Sequence, residues 1–281
     1  MTAVTSIEST ELPPKKSAFT VVFSWCKRQP LGAISAAVLV GIILVAAFAD
    51  RVSPYDPELN DFANMLTAPG AEFILGTDQF GRDVLSRIIY GAQTALFVGF
   101  TAAFFGSTIG LILGVTSAYL GGLFDLILQR ILDVFMAFPS IIIALAIVAT
   151  FGTGTQNVIL AITIPMIPNC ARVVRSSALQ VREIPYIDAA RSLGYSHARI
   201  VLRHMAPNVM APYLIMFTSF LGQAILAEAS LSYLGLGVQE PTPAWGLMLQ
   251  GGQEFIREEA YLAIYPGLAI TLAVFGFNLF G

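Results

Sequence analysis

Charge is scarce in this sequence. Only 12% of its 281 residues are Asp, Glu, Lys or Arg, against about 25% in soluble domains. So few charges cannot solvate a globular surface of this size, which excludes an ordinary water-soluble fold. Lysine is scarcer still. Lys15, Lys16 and Lys27 are the only ones, so no Gly-x4-Gly-Lys-Ser/Thr phosphate loop can be written anywhere in the chain. His197 and His204 are the only histidines and no cysteine stands near them. No metal site is expected there. Cys26 and Cys170 are two lone cysteines, too few for a disulfide framework or a zinc knuckle, and both are expected to be inert. His-Glu-x-x-His and Gly-x-Ser-x-Gly are absent as well, which argues against a membrane-embedded hydrolase. No catalytic residues, no cofactor within this chain and no nucleic-acid partner are expected.

Apolar sequence fills the chain instead. It is 56% hydrophobic, with a mean hydropathy of +0.74. Six runs come close to the roughly 17–25 residues that cross a bilayer as a helix: 31–49, 96–118, 134–150, 156–171, 208–227 and 261–280. None contains Asp, Glu, Lys or Arg. Proton- and ion-coupled carriers place such groups in the membrane, so no proton relay is evident. The expected fold class is an all-α membrane protein with six transmembrane helices. The first run ends in Ala47-Phe48-Ala49, like a signal-peptidase site, but it is too long and starts too late for a signal peptide. It is expected to be retained as the first transmembrane helix.

Six crossings place both termini on one side. That side receives Lys15, Lys16, Lys27, Arg28, Arg130, Arg172, Arg175, Arg182, Arg191, Arg199 and Arg203, eleven of the fifteen basic residues. Cytoplasmic loops carry the excess of Lys and Arg, so N- and C-termini are expected in the cytoplasm of a bacterial inner-membrane protein.

Between the runs, residues 1–30 read as a cytosolic tail with Pro13-Pro14-Lys15-Lys16 as a breaker. Residues 50–91 form the longest outer loop. Its start, Ser53-Pro54-Tyr55-Asp56-Pro57, is irregular. Its end reads either as a short amphipathic surface helix or as a lead-in to the second span. Thr77 or Asp78 would cap it, Asp83 and Arg87 would pair at i,i+4, and Leu85, Ile88 and Ile89 share a face. Gly106, Gly110 and Gly114, at steps of four, form a ridge that lets another helix approach closely. Pro139, Pro165, Pro168, Pro212 and Pro266 are candidate kinks.

The most informative stretch is the inner loop 172–207, which holds six of the basic residues. Pro185 suits a first helical position and Gly194 the residue past a helix end. Between them Ile184 to Leu193 makes one short helix. Ser196 caps a second that runs to Met205, before Pro207. Small Ala189 and Ala190 would let the first helix seat in a partner's groove, with flanking arginines paired to acids there. Bulk or charge at Ala190, or Gly194→Pro, would then abolish function without blocking insertion.

Asp188-Ala189-Ala190, three residues, Gly194, then twelve residues to Pro207 resembles the EAA loop of ABC importer permeases. Asp188 stands for Glu, His204 for Ile and Ala206 for Leu. Phe73 to Arg87, with Gly76-Thr77-Asp78 and Gly81-Arg82-Asp83, resembles a signature of DppC/OppC-type permease subunits of peptide importers. So do Ala227 to Gly237 and Pro243-Ala244-Trp245-Gly246. Members of that family usually continue past the last span as a short charged tail, whereas Phe280-Gly281 closes an apolar run. The resemblance covers about residues 20–281 and implies a type I ABC transmembrane domain over 92–281.

It further implies that Asp188, Ala189, Ala190, Arg191, Gly194 and Pro207 couple to a separate ATPase. ATP and Mg would be bound by two DppD/DppF-like ATP-binding subunits. A DppB/OppB-like permease would complete a heterodimer, and a periplasmic or lipid-anchored binding protein would deliver di- or oligopeptides. Nickel, glutathione or another small solute is the alternative cargo, and a secondary carrier the alternative class. Glu228, just after the fifth run, either contacts a peptide amine or gates the outer mouth, or else caps the loop or pairs with Arg257. Trp245 is a candidate at the same mouth, although with Tyr233 and Tyr261 it also fits an interfacial belt.

Overall fold

The computed structural model describes residues 27–280. Most of the expected tail, with Pro13 to Lys16 and Cys26, lies outside them. Among the described residues the fold is helical, with one isolated antiparallel bridge between Thr77 and Asp83. We label the main helices α1 (Pro30–Ala47), α2 (Val84–Leu120), α3 (Gly122–Met136), α4 (Ser140–Phe151), α5 (Thr155–Arg182), α6 (Pro185–Ser192), α7 (Met210–Tyr233), α8 (Trp245–Gln253) and α9 (Tyr261–Phe280). Five stretches are long and apolar enough to cross a membrane: α1, α2, α5, His197–Tyr233 and α9. A sixth arises if the bent pair α3 and α4 makes one span.

Packing follows the small residues. The inner side of α2 reads Gly91, Ala95, Gly99, Ala102, Gly106, Gly110 and Gly114, all buried. Its main neighbours are α5 and α7. A Cβ at Gly106 would lie 2.8 Å from the Met166 Cβ, one at Gly110 2.5 Å from the Cys170 Cβ, and one at Gly114 2.6 Å from the Ala171 carbonyl oxygen. Lipid offers no hydrophobic drive for helices to associate, so this backbone-to-backbone fit is what holds α2 against α5. The ridge read from the sequence is a packing ridge. Cys170 is sealed in it, its thiol directed at the Ser107 carbonyl at 3.3 Å.

Four boundaries differ from the sequence reading. The amphipathic surface helix does not form. Leu85 to Ile89 belong to α2, which runs unbroken for 37 residues, about 55 Å at 1.5 Å per residue and so longer than a bilayer core. The third run is not one straight helix, because Pro139 stands at a break where α3 and α4 meet at 87°. Pro165 and Pro168, by contrast, sit inside an α5 that continues. α5 also extends through Arg182, so the first third of the expected inner loop is helix. Finally, α7 extends to Tyr233 and takes in Glu228. For α2, α5 and α7 the apolar run ended while backbone hydrogen bonding went on.

Candidate functional site

At the end of the bundle that carries most of the basic residues, named here the inner end, α6 begins on Pro185, whose missing N–H costs nothing in a first turn. It ends as a Schellman turn. The Gly194 amide donates to the Arg191 carbonyl at 2.9 Å and the Tyr195 amide to the Ala190 carbonyl at 3.2 Å. Gly194 has φ +75°, the left-handed conformation that costs other L-residues about 1–2 kcal/mol. Nothing lies within 4 Å of the position its Cβ would take, so conformation alone requires glycine there. Ser196 caps the next helix as expected, accepting from the Arg199 amide at 3.4 Å.

The two alanines part company. Ile187 and Ala190 are buried against this chain, whereas Asp188, Ala189, Ser192 and Leu193 are exposed. Ala190 therefore seats α6 on its own bundle, and Ala189 belongs to the outward face. That reverses the expectation for Ala190. A helical pair of adjacent residues points about 100° apart, so only one of them can face a partner. The flanking arginines are also occupied within the chain. Arg172 reaches Asp133 at 2.7 Å, Arg175 makes a paired contact with Asp125 at 2.6 and 2.5 Å, and Arg182 donates to the Ala118 carbonyl at 3.0 Å.

Two sets of contacts fasten α6. On one side Arg191, which also reaches Asp188 at 3.2 Å, lies over the Tyr119 ring at 5.1 Å. The Tyr119 hydroxyl in turn shares a 2.8 Å hydrogen bond with His197 Nδ1. On the other side the Tyr186 hydroxyl donates to the His204 carbonyl at 3.1 Å. Asn208 donates to that carbonyl at 2.6 Å and to the Tyr186 hydroxyl at 3.0 Å. Between Ile200 and α7 the backbone widens to a π-turn over Val201–Met205 and tightens to a 3₁₀ turn over Ala206–Val209, with Pro207 inside it.

Midway along the bundle a cleft of about 370 Å³ opens between α4, α5 and α7, with Ser140, Pro165, Asn169, Gln223 and Ser230 among its lining residues. Its walls are mostly apolar, with Ile141, Ile162, Met166 and Leu226 among them, interrupted by two carboxamides and two hydroxyls and by no ionisable group.

The opposite end of the bundle, named here the outer end, holds a cluster that the sequence alone did not assemble. Arg82 donates from Nε to Asp78 at 2.7 Å and grips Glu240 with both terminal nitrogens at 2.6 and 3.2 Å. Arg87 reaches Glu240 at 3.3 Å and the Pro57 carbonyl at 3.0 Å. Both arginine side chains are almost wholly buried, at 5% and 1% exposure. Burial works to lower the Arg82 pKa, but the hydrogen bond and charge of Glu240, with those of Asp78, outweigh it and hold the guanidinium above its ordinary value. Asp83 is not Arg87's partner. It caps α2, accepting from the Ser86 amide at 2.7 Å and the Ser86 hydroxyl at 2.6 Å. Asp78 and Arg82 were legible as a motif, but Glu240 lies 158 residues from Arg82 and carried no local signal.

Glu228 and Trp245 are buried here too, not exposed at a mouth. Glu228 is 1% exposed and accepts from the Ser232 hydroxyl at 2.7 Å, so it neither pairs with Arg257 nor caps the loop. Trp245 donates to the Ile88 carbonyl at 2.9 Å and packs on Gly91, which removes it from an interfacial belt. Tyr261 lies between two loop carbonyls, those of Thr67 at 3.1 Å and Thr77 at 2.9 Å.

Comparison with known proteins agrees with this architecture. Residues 106–281 match the family described as binding-protein-dependent transport system inner membrane component. Residues 24–69 match the N-terminal TM domain of oligopeptide transport permease C. The dipeptide transport system permease protein DppC of Alkalihalophilus pseudofirmus is 39% identical over 275 residues, covering 96% of this chain and 90% of that protein. The glutathione transport system permease protein GsiD of Shigella flexneri serotype 5b is 43% identical over 256 residues, covering 91% and 84%. Among solved structures, an inward-facing MetNI methionine ABC transporter shares the fold, with a TM-score of 0.56 at 21% identity over 69% of this chain and 92% of that one. A permease of this family spans the inner membrane several times and works with an ATPase and a binding protein. The chain thus belongs to the inner membrane components of binding-protein-dependent transport systems, as a DppC/OppC-type permease subunit of an ABC importer.

Proposed function

We propose that this subunit forms one wall of a path for di- or oligopeptides, driven from outside the chain through α6. Its partners in this reading are a DppB/OppB-like permease, two ATP-binding subunits that hold ATP and Mg, and a peptide-binding protein on the outer side. Both termini then face the cytoplasm, as does α6. The observation that carries the reading is α6 itself. It is a short helix with defined ends, seated on the bundle by Ile187 and Ala190 and turning Asp188, Ala189, Ser192 and Leu193 outward. A small residue at the centre of that face lets a cleft in an ATPase close around it, with Asp188 and Leu193 as polar and apolar contacts at its rim.

The cleft beside Asn169 and Gln223 suits the same cargo. Carboxamides donate to and accept from peptide groups, and walls without charge do not discriminate among the side chains a peptide carries. Glutathione is a peptide as well, and the likeness to a glutathione permease favours it as a second cargo of the same chemistry.

The test is Ala189→Glu in the assembled importer. Uptake and recovery of the ATPase subunits with the permease should both be lost, while the amount of inserted permease stays that of the native chain. Full uptake by this variant would refute docking through α6. Competition between dipeptides and glutathione for uptake ranks the cargo.

A further inference from the structure

The segment between α6 and α7 is the least regular helical stretch in the described part of the chain, and its irregularity has a chemical cause. A 3₁₀ turn would satisfy the His204 carbonyl from the amide three residues on. That residue is Pro207, which has no N–H. Two side chains supply donors in its place, the Tyr186 hydroxyl at 3.1 Å and Asn208 Nδ2 at 2.6 Å, and they bond each other at 3.0 Å. Tyr186 is the second residue of α6, and Asn208 leads directly into α7. One carbonyl thus ties α6 to the distorted turn, and that turn runs directly into α7, the long helix that lines the central cleft. A π-turn followed by a 3₁₀ turn holds its backbone bonds less firmly than an α-helix, so this is where the chain can change pitch with least loss.

We propose that the His204 carbonyl, held by Tyr186 and Asn208, is the joint through which a displacement of α6 is passed to α7. Tyr186 and Asn208 are positioning residues in this role, since they act on transport through the α7 backbone. When α6 is drawn outward, the Tyr186 hydroxyl pulls on the His204 peptide, and the turn over Val201–Val209 converts that pull into rotation or translation of α7. On its other flank α6 rests on Tyr119 through the Arg191 guanidinium, a contact with the end of α2 that needs no change in helical pitch. The inference rests on docking of an ATPase to α6.

The experiment uses the complete importer in proteoliposomes with its binding protein, measuring ATP hydrolysis and solute uptake in the same preparation. Tyr186→Phe keeps the ring and removes only the hydroxyl. Hydrolysis is expected to stay within about twofold, while uptake per ATP falls roughly five- to tenfold, the scale of one lost hydrogen bond. Asn208→Ala should do the same, and the double variant should be little worse than the poorer single one, because both act at one carbonyl. Thr271→Ala removes a hydrogen bond that stays inside α9, to the Gly267 carbonyl at 2.8 Å, and should leave the ratio unchanged. An unchanged ratio in Tyr186→Phe overturns the joint. So does a proportional fall of uptake and hydrolysis, and so does an equal effect of Thr271→Ala. If Ala189→Glu fails to release the ATPase, it is the docking reading that fails, and the two failures are told apart.

Discussion

The two ends of α2 are fastened in opposite ways. At the outer end Asp78, Arg82, Arg87 and Glu240 form a buried ion network that ties the first outer loop to the loop before α8, 158 residues away. At the inner end α6 rests on two buried side chains and a few hydrogen bonds that water can reach. Buried charges tolerate no separation, because each partner left alone carries its full desolvation penalty. A hydrogen bond that water can reach contributes only about 0.5–1.5 kcal/mol net, far less than a buried charge left unpaired. The outer loop is built to hold its shape, and the inner helix is built to be moved.

The largest expected effect breaks the first half of that contrast. Glu240→Ala leaves Arg82 and Arg87 buried without their shared acid. It should destabilise the detergent-solubilised subunit by about 3 kcal/mol, toward the low end for a buried pair because Glu240 is itself partly exposed. Thermal unfolding measures the loss, and Arg82→Ala in that background should restore part of it. A shift no larger than that of a surface substitution would mean the cluster is open to water.

Next comes the crossing that both ends share. Gly110→Val places a side chain where the Cys170 Cβ already lies 2.5 Å away. It should cost about 1–3 kcal/mol and lower the yield of folded protein. Gly122→Ala, where nothing lies within 4 Å, controls for glycine loss without crowding, although its φ of +55° carries a backbone cost of its own. The smallest stability effect belongs to the inner end. Gly194→Ala should cost about 1–2 kcal/mol through its positive φ alone, and Gly194→Asn less, since asparagine tolerates that conformation. If Gly194→Ala destabilises as much as Glu240→Ala, the inner helix is not the loosely held element its contacts describe.

Much of this was written locally. Pro185 and Gly194 delimit a helix of eight residues because each acts on its own backbone. Gly106, Gly110 and Gly114 announce a close crossing because their spacing is that of one helix face. The sequence was silent wherever the partner was distant or direction mattered. Asp83 and Arg87 at i,i+4 looked like a pair, but Glu240, itself partly exposed, supplied the acid for the buried Arg87. Ala189 and Ala190 looked equivalent, and only the bundle shows which one is spent on seating α6. Glu228 stood just outside a hydropathy window and looked like a mouth residue, yet α7 carries it one turn further into the fold, to Ser232.

By itself, then, the amino-acid sequence determined the membrane class, the placing of the apolar spans and the punctuated inner helix. These follow from solvation and from backbone constraints that act within a few residues. The tertiary structure alone decided the ion network at the outer end, the inward turn of Ala190 and the meeting of Tyr186 with Asn208. Each of those depends on which distant groups share a desolvated space or one carbonyl, and short-range pattern holds no information about that.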